Sequence, residues 1–206
     1  MPKLKLTYFD ASASRGEECR LALHVAGLPF EDERLDHAAW SKRRSTAPFG
    51  ALPLLEVEGK GVLAQSNAIL GYIGRAHGLL PDDAFECARH ESLLAAVEDL
   101  RGQLRPVIRI TDEAEKKTAR TAFAGGGLRD WAGQIERQLG GGPFVGGARI
   151  GVADLKIYVA VDTFMRGAID HIPADVFKAF PKLTALHAAV KAHPRVADWQ
   201  GRFARG

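Results

Sequence analysis

The hydrophobic pattern of the chain changes at about residue 84. Before that point, short alternating runs typical of strands are interleaved with runs of helical period, and after it every apolar run has helical period. Strands alternating with helices predict an α/β domain, whereas successive helical runs predict a helical bundle. The sequence therefore predicts an α/β plus all-α fold, with domains over residues 1–80 and 87–206 and a linker over residues 81–86.

The α/β half is predicted from a series of short patterns. Leu4, Leu6 and Tyr8 alternate with polar residues and predict a strand, and the loop DASAS leads into a helix that ends at Gly27. PFEDERL predicts a second strand, and LPLLEV and VLAQ flank the tight GKG turn of a hairpin. A helix follows from Ser66, whereas HAAWSKRRSTAPFG has little periodicity and is predicted to be an irregular link.

The second half is predicted to be a set of packed helices. Leu93, Val97, Leu100 and Leu104 are spaced by three or four residues and form one face of a long helix. The glycines at 125–127 predict a kink or break, because each costs about 1 kcal/mol relative to alanine in a helix. VADLKIYVAVDTFM is apolar nearly all round and predicts a central helix, and two short terminal helices begin at prolines.

The composition excludes several classes of function. With 46% hydrophobic and 26% charged residues, the chain of 206 residues has the composition of an ordinary globular protein. Its formal net charge of +3 is too small to argue for nucleic acid or an anionic membrane as a partner. No apolar stretch suggests a signal peptide or a membrane span, so we expect a cytoplasmic protein.

The cysteines and histidines predict neither a disulfide framework nor a metal site. Cys19 and Cys87 form no CxxC pair, and the histidines are scattered without metal-ligand spacing. Cys19 lies within the first helical run, and we interpret it as a small buried hydrophobic residue rather than a nucleophile.

Two segments near the first strand are candidates for binding. Tyr8 at the strand end and a helix start near Arg15 suit a small anionic ligand, although Tyr8 can equally be a core residue. In GALPLL, Pro53 between apolar residues is a candidate cis proline, which would leave the backbone of Leu52 able to pair with a peptide-like ligand. A trans Pro53 that begins an edge strand is the alternative.

A third candidate segment is the start of the helix after the hairpin. Ser66 is predicted to be its N-cap, so that free backbone N–H groups and the positive end of the helix dipole can hold a carboxylate. Gln65 offers an amide beside it. An ordinary capping serine would produce the same pattern.

Taken in order, these segments resemble a known family. KLTYFD, RGEECRLALHVAGLPFED, PFGALPLLEV and QSNAILGYIGRAHGLLPDD resemble the thioredoxin-like domain of the cytosolic glutathione transferases. VEDL and GVADLKIYVAV resemble the long helix and the helix-capping motif of that family's helical domain, with Gly151 where the family has Ser or Thr. The resemblance is to the tyrosine type, near the sigma and mu classes, and covers nearly the whole chain.

The resemblance implies a glutathione site whose thiol is activated by Tyr8, with Arg15 near the phenol. Trp40 and Arg44 would meet the glycyl carboxylate. The other implied contacts are Leu52 and Pro53 for the cysteinyl backbone, Gln65 and Ser66 for the γ-glutamyl end, and Asp99 for the glutathione of a neighbouring subunit. The loop DASASRG is one residue longer than is usual in the tyrosine type, so Ser12 and Ser14 are alternative thiol partners.

The implied activity is transfer of glutathione, as co-substrate and without a metal, to small apolar electrophiles by a cytoplasmic homodimer active in detoxification. We expect the electrophile pocket near Phe9, Arg105, Ile108 and Phe203. The alternatives are a glutathione-binding carrier or structural homologue without turnover, and a glutathione-dependent isomerase or peroxidase.

Overall fold

The computed structural model describes residues 2–203, with the backbone alone at Phe203. One compact unit runs to Cys87 and also includes the chain from Ala192 onward, and the second is Ala88–Lys191. None of the helices in the described part of the chain is long and apolar enough to cross a membrane.

The first unit contains a four-stranded sheet with the order β2-β1-β3-β4. Strand β1 pairs in parallel with β2, while β3 is antiparallel to both β1 and β4. The strands are β1 (Leu4–Phe9), β2 (Glu31–Leu35), β3 (Leu54–Val57) and β4 (Gly61–Ala64), and the helices are α1 (Ser14–Val25), α2 (His37–Arg43) and α3 (Ser66–Ala76). The predicted strands, hairpin and two longer helices of this unit are confirmed.

Helix α2 replaces part of the predicted irregular link. Asp36 is its N-cap and accepts a 2.7 Å hydrogen bond from the amide of Ala39. None of its residues is buried, so the segment has no apolar stripe that a periodicity argument could detect. Two short 3₁₀ turns, Arg44–Thr46 and Pro48–Gly50, then lead to β3.

The core of the first unit lies between the sheet and helices α1 and α3. Its fully buried side chains are Leu6, Leu21, Leu23, Leu55, Ile69, Leu70 and Ile73, together with Cys19, as predicted for that cysteine. Helix α9 (Pro194–Phe203) packs on α1, where Trp199 contacts His24 and its Nε1 donates a 2.8 Å hydrogen bond to Glu17. These contacts anchor the helix that follows the first loop.

The second unit is helical throughout, and the α/β plus all-α fold class is confirmed. Its helices are α4 (Ala84–Ile108, which begins in the first unit), α5 (Glu113–Gly125), α6 (Gly127–Gln138), α7 (Val152–Met165) and α8 (Pro181–Ala192). The predicted break falls at Gly126, whose φ of −108° and ψ of −103° are non-helical. Helix α7 is buried along most of its length, as its apolar sequence predicts.

Candidate functional site

The register of the sheet brings three candidate segments to one edge. Thr7 lies opposite Leu54, and Leu54 lies opposite Ala64. Because neighbouring strands are about 4.8 Å apart, the ends of β1 and β4 and the residues before β3 are neighbours. One edge of the sheet therefore carries three residues that are far apart along the sequence: Tyr8, Leu52 and Ser66.

Tyr8 is fixed by close packing against helix α1. Its side chain is 8% exposed, and a Cβ atom added at Gly16 would lie 2.0 Å from the Cδ1 atom of its ring. The Arg20 guanidinium carbon lies 5.9 Å from the ring centroid, and Phe9 contacts the ring edge-on at 5.5 Å. The body of Tyr8 is thus part of the core, and only glycine at position 16 permits this approach.

The loop between β1 and α1 carries the alternative hydroxyl groups. Ser12 is exposed, and the half-buried Ser14 begins α1 with a φ of 58°. Ala13 is the N-cap and its side chain makes no capping hydrogen bond. Ser14 and the half-buried Arg15 thus lie in the first turn of α1, at the positive end of its dipole.

The sequence analysis missed Arg20, a fully buried arginine in α1. It donates hydrogen bonds to the carbonyl oxygens of Phe9 and Ala11 and to the carboxylate of Asp32. The sequence could have indicated this residue, because Arg20 lies within the run ECRLALHV, whose other members are mostly apolar. An arginine in a buried stretch must have a partner for its charge.

The peptide bond between Leu52 and Pro53 is cis, which is one of the two alternatives that GALPLL left open. Pro53 is buried, and Leu52 is half-buried just before β3 begins. The preceding turn holds Phe49 and Gly50 at φ values of 58° and 55°. Arg44, exposed, donates from Nε to the carbonyl oxygen of Gly50 at 3.1 Å, and this bond fixes the turn.

Trp40 lies on α2 and reaches the end of β1. Its half-buried ring contacts Phe9 edge-on with a centroid distance of 6.5 Å. His37 contacts the same phenyl ring at 4.7 Å. The aromatic side chains of α2 therefore pack against the residue that follows Tyr8.

The start of α3 differs from the prediction in one respect. Gln65, exposed and with a φ of 70°, is the N-cap, and Ser66 is the first residue of the helix. The prediction that Ser66 is the N-cap is therefore wrong by one position, because the left-handed backbone at Gln65 turns the chain one residue earlier. Ser66 is 4% exposed, and the buried Oδ1 of Asn67 has no hydrogen-bond partner in the described part of the chain.

The remaining candidates lie apart along the chain. Asp99 is exposed on α4, where it lines a groove of about 560 Å³ with Ala96, Glu98, Gly102, Gln103, Trp131 and Gln134. Of the expected electrophile-pocket residues, Phe9 is half-buried at the end of β1, and Arg105 and Ile108 are exposed near the end of α4. The side chain of Phe203 lies outside the described residues.

One group of side chains in residues 2–203 has metal-ligand character: Glu113, Asp170 and His171. Lys116 pairs with both carboxylates, and Arg120 pairs with Asp170. Hydrogen bonds from Lys116 and His171 lower the pKa of Glu113 to about 2. The two carboxylates are thus neutralised by protein cations, which disfavours a bound metal ion here.

Comparison with known proteins identifies both halves of the chain. Residues 4–75 match the family model of the glutathione S-transferase N-terminal domain, and residues 98–202 match that of the C-terminal domain. Hematopoietic prostaglandin D synthase of Gallus gallus is 31% identical over 202 residues, which cover 97% of this chain and 96% of that protein.

Glutathione S-transferase 1 of Ascaris suum is 46% identical over 110 residues, a match that spans 53% of this chain and about half, 52%, of the Ascaris protein. The crystal structure of the glutathione S-transferase from Ascaris lumbricoides superposes with a TM-score of 0.86 at 32% identity, covering 98% of this chain and 97% of the other. By both domain matches and by a relative that is similar over nearly its full length, this chain belongs to the glutathione S-transferase family.

Proposed function

We propose that this protein conjugates glutathione to small apolar electrophiles, with Tyr8 as the group that activates the thiol. The observation that carries the proposal is the sheet register, which brings Tyr8, the backbone before cis Pro53 and the start of α3 to one edge. A tripeptide with two carboxylates can pair with that backbone and meet a helix N-terminus.

In the proposed mechanism, the Tyr8 hydroxyl donates a hydrogen bond to the sulfur of bound glutathione. A free thiol has a pKa of about 8.5, and a donor to the charged form lowers it, with help from Arg15 and the positive end of α1. The thiol proton passes to solvent. The thiolate then attacks the electrophilic carbon, so that a carbon–sulfur bond forms as the leaving group departs or an epoxide opens.

The other glutathione contacts are proposed from their places around this edge. The N–H and C=O of Leu52 pair with the cysteinyl residue, and Gln65 and Ser66 hold the γ-glutamyl end. Trp40 and Arg44 meet the glycyl carboxylate. Arg44 can do this while it holds the turn, because only one of its five N–H groups is given to Gly50.

Ser66→Ala is expected to weaken glutathione binding by ten- to a hundredfold. The substitution removes a hydroxyl that donates to a carboxylate, a loss of about 1.5 to 3 kcal/mol. The melting temperature, measured beside the affinity, shows whether the variant keeps its fold. Titration calorimetry with glutathione measures the affinity, and Ser92→Ala, at an exposed serine of α4, is the control. Unchanged affinity in Ser66→Ala would refute this placement of the γ-glutamyl end.

We also propose that two copies of the chain form a symmetric dimer. Phe49 is 80% exposed on the turn before cis Pro53, a large apolar side chain that a partner subunit would cover. Asp99, at the groove on α4, would contribute to the glutathione site of the partner.

Asp99→Asn is expected to weaken glutathione binding about tenfold without changing the assembly, because it removes a carboxylate that faces the α-amino group of the ligand. Light scattering should give the mass of two chains for the wild type and for Asp99→Asn. Calorimetry should show the weaker glutathione binding of the variant. Asp175→Asn, at an exposed aspartate that pairs only locally with Lys178, is the control. A monomer that binds glutathione at full strength would contradict the shared site.

A second candidate function uses the same thiolate in an isomerase or peroxidase reaction. The relationship to a prostaglandin D synthase over nearly the whole chain is the observation that supports it. Assays with an aryl halide, an epoxide, a hydroperoxide and a prostaglandin precursor, set beside the affinity for glutathione, distinguish the candidates. Binding without turnover of any of them would indicate a carrier. For the conjugating enzyme, we propose a cytoplasmic role in detoxification.

A further inference from the structure

Arg20 is a fully buried charged group near the edge that carries Tyr8. Its side chain is 0% exposed, and its donors point in three directions. Nη2 donates to the carbonyl oxygen of Phe9 at 3.1 Å, Nη1 to that of Ala11 at 2.8 Å, and Nε to Oδ1 of Asp32 at 2.8 Å. One guanidinium thus joins α1, β2 and the start of the turn after Tyr8.

The charge of Arg20 is balanced by a network that extends over the same loop. Asp32 also accepts a 2.8 Å bond from Nε of Arg34, and Arg34 donates to Asp10 at 2.9 Å. Glu17 lies 3.6 Å from Nη1 of Arg20, and burial raises the pKa of Glu17 although Trp199 and Arg20 oppose this effect. Two arginines therefore face three carboxylates around residues 10–13.

The network acts on Tyr8 through two contacts. The carbonyl group that Nη2 holds belongs to Phe9, the residue bonded to Tyr8, so the backbone that carries the phenol is fixed. The guanidinium also lies 5.9 Å from the centroid of the tyrosine ring, while Gly16 packs against the Cβ, Cγ and Cδ1 atoms of Tyr8. A side chain at position 16 would collide with the tyrosine ring, so the close contact between α1 and Tyr8 depends on this glycine.

We propose that Arg20 is a positioning residue for Tyr8, which fixes the turn over residues 10–13 and thereby the aim of the hydroxyl that activates glutathione. This inference rests on the proposed function. A lysine at position 20 keeps the charge but presents its donors from one point, so it cannot hold Phe9, Ala11 and Asp32 together.

The test is the pKa of the thiol of bound glutathione, measured by thiolate absorbance against pH in four proteins: wild type, Arg20→Lys, Tyr8→Phe and the double variant. Arg20→Lys is expected to raise this pKa by about one in the wild-type background, because a misdirected hydroxyl donates poorly to the thiolate. In the Tyr8→Phe background it is expected to cause no further rise. A general loss of stability would not produce this dependence on Tyr8.

Two controls keep the test decisive. Arg120→Lys alters another buried arginine with a carboxylate partner, in the second unit, and should leave the thiol pKa unchanged. If Arg20→Lys does not fold, Asp32→Asn removes one partner of Arg20 and should raise the thiol pKa in the same direction by less.

The outcomes separate the two proposals. If Tyr8→Phe raises the thiol pKa and Arg20→Lys does not, or if Arg20→Lys raises it equally in both backgrounds, only the positioning role of Arg20 is overturned. If Tyr8→Phe itself leaves the pKa in place, the tyrosine assignment is wrong and the role of Arg20 fails with it.

Discussion

Tyr8→Phe is expected to raise the pKa of the thiol of bound glutathione by one to two and to reduce turnover near pH 7 by about ten- to a hundredfold. Lowering a thiol pKa from about 8.5 to about 6.5 requires about 2.7 kcal/mol, which a hydroxyl donor together with Arg15 and the dipole of α1 can supply. The affinity for glutathione should stay within a few-fold, because in the proposed site the phenol contacts only the sulfur. Thiolate absorbance against pH, with initial rates on an aryl halide, measures both effects.

Ser12→Ala and Ser14→Ala are the matched comparison for this prediction, since these serines lie on the longer loop after β1. Both are expected to leave the thiol pKa in place. If either serine variant moves the titration while Tyr8→Phe does not, the loop serine activates the thiol and the tyrosine assignment is wrong.

Asp154→Ala is expected to lower the free energy of unfolding by about 3 to 4 kcal/mol, because it leaves two buried amides without an acceptor. The carboxylate of Asp154 is fully buried and accepts 2.7 Å hydrogen bonds from the amides of Val145 and Gly151. Gly151 has no side chain to cap α7, so Asp154 provides the capping interaction instead. Urea unfolding followed by circular dichroism measures the loss, and Asp175→Asn is expected to cause almost none. A loss below about 1 kcal/mol would contradict this role.

The contribution of Asp154 to the free energy of unfolding depends on pH. Burial raises the pKa of Asp154 to about 6 from an ordinary value of 3.8, against the opposing effect of its amide partners. The folded protein therefore binds this proton more tightly than the unfolded chain, and the contribution of Asp154 to stability grows as the pH falls from about 6 towards 4.

Asp154→Asn removes the titration, so the stability of the wild type relative to this variant should increase by roughly 2 to 3 kcal/mol between pH 7 and pH 3.5. Urea unfolding of both proteins across this range measures the difference. If the stability difference between the two proteins stays constant or changes with pH in the opposite direction, the amides of Val145 and Gly151 lower the pKa of Asp154 by at least as much as burial raises it.

Most elements of the fold could be predicted because their signals are local. Gly27, with a φ of 73°, follows the end of α1, and three consecutive glycines at 125–127 weaken the helix so that it breaks at Gly126. The local pattern around Pro53, a proline between apolar residues at the entry to a strand, left cis and trans bonds as alternatives, and the bond is cis. Helix α2 was not predicted, because it buries no residue and so leaves no periodic stripe in the sequence.

The segments of the candidate site were predicted from the sequence, but the contacts that hold their side chains in place were not. The sequence places Tyr8, Pro53 and Ser66 at the ends of elements, and it does not show that Gly16 lies against the ring of Tyr8. That contact depends on how α1 crosses the sheet, which neither segment specifies alone. The N-cap at Gln65 also depends on a backbone conformation with positive φ that no local residue preference predicts.

Backbone propensity and hydrophobic period act over a few neighbouring residues, so the sequence alone predicted the strands, the longer helices, the break within residues 125–127 and the candidate segments. How the buried charges are balanced depends instead on the tertiary structure. Arg20 reaches Asp32 on β2 and the turn after β1, and Asp154 reaches Val145 before its own helix begins. A buried charge is stabilised only by the partners that folding brings within hydrogen-bond distance, and residue type alone does not specify which partners those are.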